Sequence, residues 1–559
     1  MRGWAASFAS CRTRAGRQAQ ADDRNWVYNF GLSFWGSYSS SLTKEATVSA
    51  EKPRPSARAL LASLVLTVAL LLLLFPAPVR SGTATLRIDP EALSGRIAQY
   101  LLGEAETESG SAQADVQFGS NIRLSDEHFA KRLISQTEPA IAVNPANGSN
   151  LVAGFHDLFP HTQDFVCRFT FTTDGGTSWT LGGSTPLQTS GNFCSDSAIT
   201  ADANGNFYFA YLDITFGSQR SDIDVAKSID GGMTFDTFSV AVNGQPSRNF
   251  PDKEYIAADT QDGSPFKGNI YVTWTDFLNP HDRKALDNGQ IKAVVSSDGG
   301  STWSTPVAIS ASAQFPEAIS GSLPVVAPDG TIFVFYADFI AGVGPLSIKF
   351  SESTDGGVNW SAPADVASNL SSPGRFRLRN ADPAFGTIPG RGFRSNSFPT
   401  AAIAPDGTIF VAWADFPSGS CINDGTGRPP CTNADVRLSF SKNGGASWTT
   451  PTKVTDETNA TDQFFPWIAT HSDGRLSIIW QDKRLDSANI NFNTFYTSTT
   501  NGEVFGPNVR VSSATSQAGL ATFIGDYNNL AVTDVDIFPV WTDRRFRNND
   551  IFTARGTLP

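Results

Sequence analysis

The stretch SSDGGSTW (residues 296–303) decides the fold, because close copies of it return along the chain. Ser and Asp oxygens can accept hydrogen bonds from the backbone N–H groups of a turn, and the second Gly adopts a backbone conformation that other residues resist. The positions equivalent to its Asp are Asp174, Asp230, Asp298, Asp355, Asn443 and, in a degenerate copy, Thr500. The regular return predicts a repeated structural unit with one such turn in each copy.

A predicted β-hairpin precedes each turn. Its two strands are joined by Asn-Gly or Asp-Gly, pairs that favour tight hairpin turns because both central residues can adopt positive φ. The second strand is rich in β-branched and aromatic residues and ends in aromatic-x-Asp. Seven such endings occur, at Asp157, Asp213, Asp276, Asp338, Asp415, Asp482 and Asp543.

Hairpin, third strand, turn and fourth strand make a four-stranded unit of about 50 residues, which is typical of a propeller blade. The seventh hairpin has no fourth strand after it. Residues 118–125 (FGSNIRLS) match the last strand of the sixth unit, FGPNVRVS at 505–512. We therefore expect an all-β propeller of seven four-stranded blades, closed by an N-terminal strand that pairs with the C-terminal blade. Six blades are the alternative.

The N-terminal region has the composition of an export signal. Basic residues precede an apolar run at 59–75, and small residues and Pro follow it. We interpret 1–81 as a leader with either a cleaved signal peptide or a signal anchor, 82–113 as a polar linker and 114–559 as the propeller. The expected location is secreted or associated with the cell envelope, with membrane contact only through an uncleaved anchor.

Charge and cysteine content limit the partners. The net charge is −12, which disfavours nucleic acid. Cys421 and Cys431 bracket a Gly/Pro-rich loop and are the natural disulfide pair, which leaves Cys167 with Cys194. None of the five His forms a metal-binding motif, so we predict no metal and no cofactor; calcium is an alternative that no motif supports. We expect a monomer.

SSDGGSTW matches the Asp-box, and the chain from 114 to 559 resembles the BNR-repeat propellers of the sialidase superfamily. The resemblance implies that Asp174, Asp230, Asp298, Asp355 and Asn443 are structural. In that family the box lies at the opposite end of each blade from the ligand mouth, and a catalytic group is not needed six times around a ring. Chemistry is therefore expected where loops leave strand two and enter strand one.

Several predicted site residues lie in those loops. Asp252-Lys253-Glu254-Tyr255 concentrates ionisable groups where a first strand begins, close to Arg248. Basic residues follow two of the strand-two Asp residues, at Arg484 and Arg544. The insertion at 371–398 carries five Arg, including Arg394, and is either a lid or a solvated loop.

The resemblance also implies a mechanism, in which a Tyr activated by a carboxylate attacks, an Asp is the acid/base and an Arg triad binds the substrate. Tyr527 lies in a fragment similar to the family's Tyr motif, and Glu254 is the expected activating group. Asp252 and Asp276 complete the candidate catalytic set. Arg437 resembles one triad Arg, but the Phe-Arg-Ile-Pro motif of another is absent from the sequence.

The sequence therefore predicts an exported propeller that binds or hydrolyses extracellular glycans. Enzymatic activity, of the exo-α-sialidase type, is left open. The alternative is a non-catalytic propeller that binds glycan or protein. Arg248, Lys253, Arg394, Arg437, Arg484 and Arg544 are the candidate substrate-binding residues.

Overall fold

The computed structural model describes residues 116–125, 135–159, 164–215, 218, 220–246, 248–278, 289–313, 317–340, 346–371, 386–387, 394–416, 433–517 and 523–558. The predicted leader and linker, the Cys421–Cys431 pair and most of the 371–398 insertion lie outside these residues. Only strands and irregular segments occur within them. No helix in the described part of the chain is long and apolar enough to cross a membrane.

Six four-stranded antiparallel sheets and a seventh sheet of six strands form the predicted seven-bladed propeller, which confirms the fold class. Blade 1 contains β3 (Ser135–Asn144), β4 (Asn147–Phe159), β5 (Asp164–Thr172) and β6 (Thr180–Ser184). Blade 2 contains β7 (Phe193–Ala201), β8 (Phe207–Thr215), β9 (Arg220–Ser228) and β10 (Thr237–Val242). Blade 3 contains β11 (Asn249–Ala258), β12 (Ile270–Leu278), β13 (Gly289–Ser296) and β14 (Val307–Ala308). Blade 4 contains β15 (Glu317–Val326), β16 (Ile332–Ile340), β17 (Leu346–Ser353) and β18 (Ala364–Leu370).

The second half of the ring follows the same plan. A two-stranded hairpin, β19 (Gly386–Thr387) and β20 (Arg394–Ser395), precedes blade 5. Blade 5 contains β21 (Thr400–Ile403), β22 (Ile409–Asp415), β23 (Asp435–Ser441) and β24 (Thr452–Lys453). Blade 6 contains β25 (Gln463–Thr470), β26 (Leu476–Asp482), β27 (Asn493–Thr499) and β28 (Val509–Arg510). Blade 7 contains β29 (Asn529–Val532), β30 (Asp536–Asp543) and β31 (Asp550–Thr553), with β32 (Gly556–Thr557) and the N-terminal β1 (Gln117–Phe118) and β2 (Ile122–Arg123).

The first strands of the blades form the inner ring, since β3, β7, β11, β15, β21, β25 and β29 each contact the next, and β29 contacts β3. The ring is closed as predicted: Ile122 pairs with Thr553 and Arg123 with Phe552. Arg123 Nη2 lies 2.6 Å from Asp550 Oδ1. Closure leaves blade 7 with no missing strand, so its sheet edge does not remain open.

The aromatic residues that end the second strands fill the blades. Trp274, Trp413, Trp480 and Trp541 are fully buried. Burying a large apolar side chain contributes about 2–3 kcal/mol, so each repeat supplies its own part of the core. A disulfide joins Cys167 of β5 to Cys194 of β7, with the Cα atoms 5.5 Å apart, and so links blades 1 and 2.

The repeated turns are stabilised from within. In blade 3, the Asp298 carboxylate accepts hydrogen bonds from Thr302 N at 2.9 Å and Thr302 Oγ1 at 2.6 Å, and Ser296 Oγ accepts one from Gly300 N at 2.8 Å. In the degenerate copy the acceptor is Asn501 rather than Thr500. That turn is one residue shorter, because Gly502 N donates to Thr499 Oγ1 three residues before it.

Candidate functional site

The inner strands carry a bulge near their start, and this bulge positions the candidate site. The strand register shifts there in five blades, and the residue that follows adopts positive φ. These residues are Glu138, Asp196, Lys253, Gly321 and Phe465. A non-Gly residue in this conformation costs about 1–3 kcal/mol and is found preferentially at functional sites. Bulges also redirect side chains.

Residues from four blades meet at this level of the ring. We define the axial cluster as Glu138, His156, Asp196, Lys253, Glu254, Asp526 and Tyr527. All seven side chains are buried. Because blades 1, 2, 3 and 7 all contribute, the cluster lies where their inner strands approach one another.

Lys253 is the cation of the axial cluster. Its Nζ lies 3.9 Å from Glu138 Oε1, 3.7 Å from Asp526 Oδ2 and 3.7 Å from the centroid of the Tyr527 ring. It therefore interacts with both blade 1 and blade 7. A buried ammonium is stable only with such partners.

Tyr527 links blade 7 to blade 2 through the backbone of Ser197. Its hydroxyl accepts a hydrogen bond from Ser197 N at 2.9 Å and donates one to Ser197 O at 3.1 Å. Burial, and then the negative charge of Glu138, raises the pKa of Tyr527 well above its usual value. The phenol is therefore held neutral, with its hydroxyl engaged by the backbone.

Two carboxyl groups of the axial cluster, those of Asp196 and Glu254, resist ionisation. Burial, followed by the charge of Glu138, raises the pKa of Asp196. Burial, followed by the charge of Asp196, raises the pKa of Glu254. Neither Glu254 oxygen has a hydrogen-bond partner among the described residues. Such groups can remain protonated near neutral pH and then act as proton donors.

A small cavity lies beside the axial cluster. The cavity there has a volume of about 10 Å³, and it is lined by Phe398, Phe465, Trp467, Asp526 and Tyr527 among others. That volume is about that of one water-sized sphere. In the described part of the chain, the axial cluster is thus packed between blades rather than exposed in a wide mouth.

The structure brings only some of the predicted residues together. Tyr527, Lys253 and Glu254 lie in the axial cluster, and Asp252 lies next to them on β11. Asp276 lies elsewhere: its carboxylate accepts hydrogen bonds from Asn249 Nδ2 at 2.8 Å and Lys292 Nζ at 2.6 Å inside blade 3.

The predicted arginines are dispersed. Arg437 pairs with Asp415 and Asp435 of blade 5, and Arg484 with Asp482, Asp456 and Glu457. Arg544 Nη1 donates to Asn549 Oδ1. Arg248 is exposed, and Arg394 lies in β20, where its side chain is outside the described residues. None of the arginine side chains that the structure describes forms an ion pair or hydrogen bond with the axial cluster.

A concave surface lies between blades 2 and 3. We call it the inter-blade groove; its volume is about 420 Å³. Its lining includes the outer strand β10, the Asp276–Lys292 ion pair and the repeated turn of blade 3 with Trp303. Trp303 is half-buried, and its Nε1 donates to Ser239 Oγ at 2.8 Å.

Trp274 gives the inter-blade groove an unusual donor. In blades 6 and 7 the equivalent indole N–H groups of Trp480 and Trp541 donate to Asp482 and Asp543. In blade 3, Asn249 and Lys292 occupy both oxygens of Asp276. Trp274 Nε1 is left without a hydrogen-bond acceptor among the described residues, although its side chain is almost fully buried. Trp179, Trp413 and Trp448 share that lack but do not line this groove.

Sequence reasoning missed Glu138, His156, Asp196 and Asp526. The strand pairing in the structure places Glu138, Asp196 and Lys253 at one position of the repeat. The sequence did mark His156. Of the seven aromatic-x-Asp endings, only Phe155-His156-Asp157 has a titratable residue in its middle position.

Comparison with known proteins gives only distant likenesses. No protein-family model and no curated protein matches the chain. Among solved structures, a protein of unknown function from Dyadobacter fermentans is 11% identical, with 79% of this chain and 99% of that chain covered and a TM-score of 0.43. The Hadza microbial sialidase Hz136 is 12% identical over 70% and 73%, with a TM-score of 0.41. The α-L-arabinofuranosidase Arb93A from Fusarium graminearum is 12% identical over 65% and 93%, also with a TM-score of 0.41. At this similarity the comparisons carry no argument about activity.

Proposed function

We propose that this chain is an exported propeller that binds extracellular glycan, and that the inter-blade groove is its binding site. The apolar run at 59–75 supports export. The disulfide between Cys167 and Cys194 agrees with an oxidising compartment.

The size and polarity of the inter-blade groove suit a short saccharide. Its volume of about 420 Å³ falls in the range of roughly 300–1,000 Å³ that is common for small-molecule sites. Sugar hydroxyls both donate and accept hydrogen bonds. The groove offers the partly exposed Lys292 ammonium as a donor and the hydroxyls of Ser301 and Thr302.

The Trp274 indole N–H is the observation that carries the proposal. A buried donor without an acceptor costs about 1–3 kcal/mol. Nε1 is itself buried, so a ligand hydroxyl that accepts this hydrogen bond and removes the cost must displace the groove side chains that cover it. Beside it, the half-buried Trp303 supplies a flat apolar surface on which the C–H face of a sugar ring can pack.

A matched pair of tryptophans tests this proposal. Trp303 and Trp360 occupy the same position of the repeated turn in blades 3 and 4, and both are half-buried. A glycan array would identify a ligand, and titration calorimetry would then compare Trp303→Ala with Trp360→Ala. We expect Trp303→Ala to weaken binding by more than about tenfold, equivalent to 1.4 kcal/mol, and Trp360→Ala to leave it unchanged.

The thermal unfolding of both variants provides the folding control. If the array gives no ligand, glycan binding is wrong for this chain. Equal effects of the two substitutions would show instead that a bound glycan contacts another part of the propeller.

Glycan hydrolysis at the axial cluster is a second candidate function. The observation that favours it is the pair of buried carboxyl groups of Asp196 and Glu254, whose raised pKa values suit a general acid. Glycosidases commonly use two carboxyl groups, and a Tyr nucleophile is a known exception. The axial cluster contains both kinds of group.

Release of a fluorescent leaving group from a panel of aryl glycosides, an α-sialoside included, tests this second candidate. We expect Glu254→Gln to abolish any release by the wild-type chain. Activity that survives in Tyr527→Phe would exclude Tyr527 as the nucleophile. If the wild-type chain releases nothing from the panel, the candidate is rejected.

A further inference from the structure

Two buried histidines of the propeller differ in how their ring nitrogens are used. His471 and His156 are each 2% exposed. Both nitrogens of His471 are hydrogen-bonded, Nδ1 to Thr533 O at 2.7 Å and Nε2 to Ser477 Oγ at 2.8 Å. His471 is therefore satisfied as a structural residue.

His156 has only one nitrogen in a hydrogen bond. Its Nε2 lies 2.8 Å from Thr137 Oγ1. Its Nδ1 lies 3.1 Å from Glu138 Oε2, yet the geometry does not make that contact a hydrogen bond. Metal-bound histidines have the same arrangement: one ring nitrogen binds the metal, and the other is hydrogen-bonded to a polar partner that fixes the ring.

Asp196 completes a set of three ligands. One ligand atom each from Glu138, His156 and Asp196 lies within 4.8 Å of the others. Two ligands on one tetrahedral zinc ion, at about 2.0–2.1 Å from the metal, lie roughly 3.3 Å apart. The 3.1 Å separation of His156 Nδ1 and Glu138 Oε2 already matches that edge.

Carboxyl groups outnumber ammonium groups around these three residues. Glu254 is 1% exposed, and neither of its oxygens has a hydrogen-bond partner among the described residues. Lys253 is the ammonium that reaches Glu138 and Asp526. A bound cation favours the ionised form of buried carboxyl groups and stabilises them in that form.

We propose that Glu138, His156 and Asp196 bind one divalent transition-metal ion, zinc or manganese, which joins blade 1 to blade 2 at the centre of the ring. The imidazole ligand suits zinc and the two carboxyl groups also suit manganese, whereas calcium and magnesium prefer oxygen ligands alone. Three protein ligands leave a coordination position open. This site is separate from the inter-blade groove, so it does not depend on the glycan-binding proposal.

Metal binding is tested directly on the untagged full chain after treatment with a chelator. Titration calorimetry with zinc chloride and manganese chloride, together with elemental analysis after dialysis, should give one tightly bound ion per chain. The ion should raise the thermal unfolding temperature, because a ligand that binds only the folded state stabilises it. We expect His156→Gln to lose this ion.

A milder variant guards against misfolding of His156→Gln. Thr137→Val removes the hydroxyl that holds the His156 ring, and we expect metal affinity to fall about 10–100-fold, as for other outer-shell partners. Thr273→Val is the matched control, because Thr273 is equally buried and its hydroxyl has no hydrogen-bond partner among the described residues. It should bind the ion with wild-type affinity.

Two results would overturn the proposal. One is a wild-type chain that takes up neither metal in stoichiometric amount. The other is uptake that Thr137→Val and His156→Gln leave as tight as in Thr273→Val, because the ion would then be bound by other residues.

Discussion

Carboxyl groups at two places in the propeller have opposite properties. In the repeated turns, Asp174 is exposed and Asp355 is half-buried, and their pKa values are lowered to about 2. The leading causes are the hydrogen bonds from the Ser178 side chain to Asp174 and from the Asn359 backbone to Asp355. In the axial cluster, burial raises the pKa values of Asp196 and Glu254 instead.

The difference teaches that hydrogen-bond donors decide what a carboxylate contributes. A turn Asp receives donors from residues three and four positions along the chain, so each copy satisfies itself. An axial carboxyl group has lost water and depends on side chains from other blades. The turn Asp residues stabilise the fold locally. The axial carboxyl groups lower the stability of the fold, but their burial makes them available as proton donors.

The largest expected effect comes from removing the axial cation. Lys253→Met leaves Glu138 and Asp526 without their buried ammonium, and breaking a buried ion pair costs about 3–5 kcal/mol. Urea unfolding in chelator should show this loss in the free energy of unfolding. Lys267→Met is the control, because Lys267 pairs with Asp262 on the surface and exposed pairs contribute little. If both variants lose the same free energy of unfolding, the buried Lys253 ion pairs contribute no more to stability than the exposed Lys267 pair.

A buried carboxyl group away from the axial cluster separates burial from position. Burial, then the charges of Asp213 and Asp222, raises the pKa of Asp224 from 3.8 to about 8. A raised folded pKa gives stability that is full below the unfolded pKa and is lost as the pH rises to about 8. Asp224→Asn removes that loss.

We therefore expect Asp224→Asn to exceed the wild type by a few kcal/mol at about pH 9, since one pKa unit is worth about 1.4 kcal/mol. Near about pH 4 the advantage should vanish. The free energy of unfolding of both proteins, measured across this pH range, tests the prediction. If the difference between the two proteins does not change with pH, the prediction is wrong. Asp174 has the opposite sign: its contribution is present above the unfolded pKa and is lost as the pH falls toward 2.

Tyr527→Phe should have a smaller effect. The substitution removes the two hydrogen bonds to Ser197 that join blade 7 to blade 2, and it leaves buried backbone groups unsatisfied at a cost of about 1–3 kcal/mol. Chemical denaturation would detect this loss. An unchanged free energy of unfolding would mean that the hydroxyl does not hold the two blades together.

The smallest expected effect is that of Asp298→Asn. Asn443 already occupies the same position in blade 5, where its Oδ1 accepts a hydrogen bond from Ser447 N at 3.0 Å. We expect a change below about 0.5 kcal/mol for Asp298→Asn and a larger loss for Asp298→Ala, which removes the acceptor. Equal losses in thermal unfolding would show that the turn needs the negative charge itself.

Particular residues mark how far sequence reasoning reached. Lys253, Glu254 and Tyr527 were among the predicted site residues and do meet in the axial cluster. Asp276 and Arg437 were predicted beside them, but each is engaged inside its own blade. The repeat gives every blade an aromatic-x-Asp ending, and nothing local indicates which Asp is already paired across the sheet.

The sequence by itself determined the blade number, the repeated turns and the closing strand, because those features depend on hydrogen bonds and pairings that recur within each short unit. Only the tertiary structure decided the axial cluster and the inter-blade groove. Glu138, Asp196, Lys253 and Asp526 lie in four different blades, and closure of the ring brings them together. The unpaired N–H of Trp274 likewise follows from how Asn249 and Lys292 pack around Asp276, which no pattern in the chain expresses.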